Sequence, residues 1–232
     1  MPTRKKSIVR TPGRKLRKKP IEQQDVVAEF IARHNRRPKK SELTRARLLD
    51  AAAHTFKEKG YALTRLTDIA KRAHAQTSSI YYYFESREAI VVEVLRIAND
   101  RTLQRVNDFL AELPLDATVE DRLTAAIRGH YDIVLSQDPY TMAHMRIFDQ
   151  VPPNIKKQFL GVLDETTAIW RQLLLEGQAS GAIRADIDLS VTRQLLLGMM
   201  NWSIEWFRPG RLSVEDIAQQ TATILFDGIC TR

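Results

Sequence analysis

Along most of the chain, apolar residues recur three and four positions apart, the spacing of one face of an α-helix. No stretch of useful length alternates apolar and polar residues as a half-buried strand does. The first clear face is Leu48, Leu49, Ala52 and Phe56, with Ser41 or Thr44 placed to cap its start and Gly60 placed to end it. Thr64 is expected to cap a short second helix running through Ile69 and Ala70 to Ala73. A tight break follows at His74–Ala75, and a third short helix runs from about Gln76 to Phe84. Ser86 caps a longer fourth helix, in which Ile90, Val94, Ile97, Leu103, Val106 and Leu110 keep helical spacing as far as Pro114. Five more helices are expected near Val119–Ser136, Tyr140–Gln150, Asn154–Ala179, Leu189–Phe207 and Val214–Ile229. The pattern predicts an all-α chain with a small front end and a larger helical body.

Charge divides the same chain differently. Residues 1–40 hold fourteen Lys or Arg against three carboxylates, a net of +11, while the rest carries 22 basic and 25 acidic side chains, a net of −3. The leader is polar and broken by Pro2, Pro12 and Gly13, so it is expected to be a largely disordered basic arm, with one short amphipathic helix over Pro20–His34. A basic arm on a mildly acidic body points to nucleic acid ahead of an anionic membrane, although such arms are often only solvated leaders. The single cysteine, Cys230, excludes an internal disulfide scaffold and fits a reducing cytosol. The longest apolar run, Leu195 to Phe207, is too short to span a bilayer, and no secretory signal is expected.

Two short helices joined by a tight turn are what a helix-turn-helix requires, here over about 65–84. Ala70 and Ala73 are small enough for the second helix to cross the first, and Ile80 is its inward anchor. Thr77, Ser78, Ser79, Tyr81 and Tyr82 remain to face a groove; hydroxyls approach base edges and phosphates closely, and tyrosines add flat apolar contact to thymine methyls. Three consecutive tyrosines, Tyr81 to Tyr83, cannot all point into a core.

The stretch Arg45–Leu95 resembles the DNA-binding domain of TetR-type bacterial transcription regulators. The matching signatures are the AA…F…GY of the first helix, Thr64…Asp68-Ile69-Ala70…Ala73 of the second, Ile80-Tyr81-Tyr82-Tyr83-Phe84 of the third and Ser86-Arg87-Glu88 opening the fourth. The resemblance implies a helix-turn-helix domain over 41–101 and a helical effector-binding and dimerisation domain over 102–232. It places contacts to double-stranded operator DNA on Arg65, Thr67, Thr77, Ser78, Ser79, Tyr81, Tyr82, Tyr83 and Arg87. Two positions depart from the family: His74 stands where glycine is usual, and Gln76 where Ser or Thr would cap the third helix.

In the body, Leu195, Met199, Trp202 and Trp206 form one stripe of a helix and Leu196, Met200 and Phe207 another, so that helix must be covered on more than one side. With the stripe Val214, Ile217, Thr221, Ile224, Leu225 and Gly228, this suggests a homodimer, which suits a palindromic operator. The run Asn201–Gly210 is similar to a segment of TetR-type regulators that respond to coenzyme A thioesters. The resemblance implies a repressor released by such a ligand. An acyl chain needs an apolar cavity, for which Phe148, Phe159, Trp170, Met199, Trp202 and Trp206 are candidates. The ligand's phosphates need cations, for which Arg208 and Arg211 are candidates, with a plain helix C-terminal cation beside a turn as the alternative for both arginines. Aromatic or cationic drugs are the rival effector class. An enzyme is the distant alternative, through His130–Tyr131–Asp132 or His144 with Asp149 as acid–base groups. No glycine pattern for phosphate loops and no histidine pair at metal-ligating helical spacing is present, so neither catalytic nor metal residues are assigned.

Overall fold

A computed structural model describes residues 39–230, with the side chains of 162–166 left aside. The basic arm up to residue 38, including the helix expected at Pro20–His34, lies outside the described residues. The described residues from 41 onward belong to one structural unit. Its helices are α1 (Lys40–Leu63), α2 (Leu66–Arg72), α3 (Thr77–Tyr83), α4 (Arg87–Ala111), α5 (Val119–Leu135), α6 (Pro139–Ile147), α7 (Pro153–Ala179), α8 (Leu189–Trp206) and α9 (Val214–Ile229). No strand occurs among the described residues; one antiparallel bridge pairs Ile183 with Cys230.

Helix starts follow local hydrogen-bonding chemistry. Ser86, Thr118, Asp138, Asp188 and Ser213 each accept from a first-turn backbone N–H of α4, α5, α6, α8 and α9, a kind of cap worth about 1 kcal/mol. Two expected caps differ. Ser41 and Thr44 lie inside α1, which already begins at Lys40. Thr64 does not cap α2: its hydroxyl is buried and donates back to the Gly60 carbonyl at 2.7 Å. The Asp68 carboxylate does the tying instead, accepting from the Arg65 backbone N–H at 3.0 Å. Gly60 breaks α1 as expected, at φ 73 and ψ 179.

Two cores hold the molecule. The first joins α1 to α4 with Tyr140, Ala143 and Ile147 of α6 and with Val151, Ile155 and Phe159. The second gathers Val106 of α4 with α5, α7, α8 and α9 around Trp170, Tyr131, Leu123 and Met200. Helix α4 runs unbroken through position 101, where the sequence suggested a domain boundary, and contributes to both cores. At Gly129 of α5, a Cβ would stand 2.9 Å from the Arg105 carbonyl oxygen of α4, so the two helices are in backbone contact there.

Candidate DNA-binding surface and effector cavities

The α2–α3 pair is built by small residues at its crossing. Ala70 and Ala73 are buried, Ile80 anchors α3 from inside, and Phe84 closes it. The turn bends at His74, whose φ of 50 lies in the left-handed region, which histidine tolerates better than most side chains. It is held by the Ala75 N–H donating to the Ala70 carbonyl at 2.9 Å and the His74 N–H to Lys71 at 3.2 Å. Gln76 sits at the start of α3 and makes no side-chain cap, consistent with its departure from the family pattern.

Outward from this frame stand Arg65, Thr67, Ser78, Tyr81 and Tyr82, all exposed. Tyr81 and Tyr82 are 61% and 81% exposed, although each carries a large apolar ring. Thr77, Ser79 and Tyr83 are half-buried, and Tyr83 packs against the first core with its ring edge-on to Tyr82 at 4.9 Å. Arg87 is oriented otherwise. Its guanidinium donates to the Tyr61 carbonyl at 3.3 Å and the Thr64 carbonyl at 3.1 Å, and stacks 4.2 Å above the Tyr61 ring. It therefore fastens the end of α1 to α4. The Lys59 ammonium and the Arg65 backbone hold the Asp68 carboxyl below its usual range, which keeps the tie at the start of α2 ionised.

The eight residues expected around an effector do not meet in one cavity. Phe148 and Phe159 cluster edge-on with His144 at 5.3 Å each, beside the first core. Trp170 is fully buried in the second core, 5.9 Å from the His130 ring. Met199, Trp202 and Trp206 lie on the outer face of α8 with Leu195, which is 70% exposed. Helical periodicity explains the division: Leu196, Met200 and Ser203 take the inner face, so a stripe one position away must look outward. Arg208 and Arg211 line a cavity of about 220 Å³ together with Trp206, Phe207 and Leu212.

A second cavity, of about 290 Å³, was not legible in the sequence. Lys57 of α1, Met142, Met145 and Arg146 of α6, and Glu205 and Arg208 line it. Lys57 and Arg146 carry no periodic or motif signal, and only folding brings them beside Arg208. Deeper in the body, His130 Nε2 donates to Asn201 Oδ1 at 2.9 Å, while His130 Nδ1 and Trp170 Nε1 meet no hydrogen-bond partner among the described residues. Burial lowers the His130 pKa against the opposing pull of Asn201, so the ring is neutral and Nδ1 is a free acceptor. Burial likewise lowers His144, to about 4.

The polar residues of the enzyme alternative have partners other than the two histidines: Tyr131 OH pairs with Thr221 Oγ1 at 2.9 Å, Asp132 with Arg105 at 2.5 Å, and Asp149 with Lys156 at 3.2 Å. No cluster of three metal-ligating side chains occurs among the described residues, and no described helix is long and apolar enough to cross a membrane.

Comparisons with known proteins agree with this architecture. The family model for bacterial regulatory proteins of the tetR family matches residues 48–94, and that for the tetracyclin repressor-like C-terminal domain matches residues 116–229. The chain is 31% identical over 192 residues to the HTH-type transcriptional repressor KstR2 of Mycolicibacterium smegmatis, covering 80% of this chain and 90% of that protein. The solved ketosteroid transcriptional regulator KstR2 of Mycobacterium tuberculosis superposes with a TM-score of 0.65 at 25% identity, over 81% of this chain and 95% of that one. The Bacillus subtilis regulator FadR, solved with stearoyl-CoA, has the same fold, with a TM-score of 0.69 at 22% identity over 79% and 98% of the two chains.

Proposed function

Because the chain belongs to the TetR family of ligand-responsive, DNA-binding transcriptional repressors, we propose that it reads a palindromic operator through α3 and leaves it on binding an acyl-coenzyme A thioester. The observation that carries the DNA part is the pair of exposed tyrosines, Tyr81 and Tyr82, on a short helix whose opposite face is locked into the core by Ile80. Arg65, Thr67, Ser78 and the half-buried Thr77, Ser79 and Tyr83 share that surface. Arg87 braces this surface by donating to two carbonyls, and its remaining donors stay available to a phosphate.

Two copies meet through the outer stripe of α8 and the exposed Ile224 of α9. Such a dimer presents two recognition helices to successive major-groove faces about one turn apart. The basic arm adds electrostatic affinity beside the operator. Deleting residues 1–38 is expected to flatten the dependence of binding on salt; an unchanged slope would return the arm to a solvated leader. The protein acts in the cytoplasm, where its operator is.

For the effector, an acyl chain requires apolar walls and the nucleotide end requires cations. The body offers both: buried aromatic clusters around Phe159 and Trp170, and arginines at the end of α8. The unpaired His130 Nδ1 and Trp170 Nε1 supply an acceptor and a donor inside an apolar interior, which favours a ligand carrying a polar group there. The stearoyl-CoA held by the similarly folded FadR supports the thioester over a cationic drug. Titrating the operator complex with acyl-CoA thioesters, free acids and cationic dyes tests this. Release by thioesters is expected; release by dyes alone would contradict the effector while leaving the repressor intact.

A further inference from the structure

The cavity of about 290 Å³ lies where the DNA-binding helices meet the body, not in the interior of either. Three cations from three helix segments converge on it: Lys57 from α1, Arg146 from α6, and Arg208 just beyond α8. Other surface arginines hold carboxylates, as Arg72 holds Glu58, Arg101 holds Asp138 and Arg128 holds Glu215. None of the ion pairs found among the described residues uses Lys57, Arg146 or Arg208. Glu205 is the single carboxylate on the lining, so the cleft carries a surplus of positive charge against apolar Met142 and Met145.

Bringing three cations together against one carboxylate is unfavourable unless a further anion joins them. Lys57 donates one proton to the Gln137 carbonyl at 3.3 Å, leaving two ammonium protons for another acceptor. Arg146 lies over Gly60, where a side chain would come within 3.6 Å of its Nε. The cavity is at the low end of the range for ligand pockets, about 300–1,000 Å³, which suits the phosphates of a larger ligand and not the whole of it. We propose that this cleft holds the phosphate-bearing nucleotide end of the coenzyme A effector, so that the ligand's anion bridges the body to α1 of the DNA-binding domain. The inference rests on the thioester reading above.

The bridge gives the ligand a direct grip on the DNA-binding helices. Lys57 is three residues from Gly60, where α1 breaks, and the next residue's N–H is held by Gln150 of the α6–α7 connection at 3.0 Å. A phosphate drawn between Lys57 and Arg208 biases that joint toward one setting, and operator affinity changes through the difference in ligand affinity between settings.

The test uses the full chain and measures binding of octanoyl-CoA and of octanoate by calorimetry at several salt concentrations. Lys57→Met, Arg146→Met and Arg208→Met are each expected to weaken octanoyl-CoA about tenfold, as loss of a cation–phosphate contact does, and to make its salt dependence shallower. Octanoate binding should not change. Glu205→Gln is expected to act oppositely and tighten octanoyl-CoA roughly threefold. Wild-type affinity and salt slope in all three cation variants would overturn the cleft assignment while leaving the thioester effector standing. An effect confined to Arg208 would overturn the bridge, because the ligand would not reach α1. Failure of the wild-type chain to bind any thioester from acetyl- to stearoyl-CoA would remove the effector reading and the cleft with it.

Discussion

Tyr81 and Arg87 are both polar residues beside the helix-turn-helix, yet the structure gives them opposite work. Tyr81 points away from the core, so Tyr81→Ala should cost about 1–3 kcal/mol of specific operator binding and leave the melting temperature unchanged. Arg87 ties two carbonyls and a ring, so Arg87→Ala should lower the free energy of unfolding by about 1–3 kcal/mol in urea titrations. Sequence spacing put both residues at the right place in the chain. It identified Tyr81 because an aromatic run longer than one helix face must be partly outside. It could not show how Arg87 is held, because periodicity fixes where a residue sits and not which carbonyls its five donors reach. His144 supplies a pH dependence at the same scale. Burial lowers its pKa to about 4, below an unfolded value near 6.5. The unfolded chain therefore binds a proton that the folded chain refuses, and stability is full above about pH 6.5 and declines as pH falls toward 4. His144→Phe, which keeps the ring contacts with Phe148 and Phe159, should flatten this part of the profile in denaturation measured from pH 7 to pH 4.5.

At the scale of elements, boundaries were more legible than directions. Gly60 was read as the end of α1, and it is the residue that takes φ 73 and ψ 179 there, a region almost closed to other residues. A Cβ at Gly60 would stand 3.0 Å from Gln150 Oε1. Gly60→Ala should destabilise the chain by about 1–3 kcal/mol, and it should also loosen the Tyr61–Gln150 hydrogen bond, seen as faster amide exchange at Tyr61. The helix order was legible because each helix has its own apolar period and most ends carry a proline, a glycine or a capping side chain. The two stripes of α8 show the limit. Met199 and Trp202 read as pocket residues because both stripes are equally apolar; only packing against α5 and α7 decides that Leu196 and Met200 go inside. The cleft of Lys57 and Arg146 was invisible for a related reason: its residues are 89 positions apart in the sequence and obey no common repeat.

Taken whole, the molecule joins a reading surface and a ligand-sensing body through shared structure. Helix α4 belongs to both cores, and the first core already includes α6 and the start of α7. A change of packing in the body therefore has a physical route to α3. The outward stripe of α8 gives the quaternary prediction. Leu195→Glu with Trp202→Glu places two charges on a face that is apolar and exposed in the single chain, and sedimentation should then show a monomer that still folds and binds its operator far more weakly. A dimer unaffected by both substitutions would place the interface elsewhere. The central claim, that α3 reads sequence in a palindrome, is tested most directly by selecting DNA fragments with the full-length protein and footprinting the winners beside Tyr81→Ala. The account predicts enrichment of one inverted repeat, protected by the wild-type chain and unprotected by the variant at the same concentration. Protection spread evenly over unrelated sequences and indifferent to Tyr81 would contradict it.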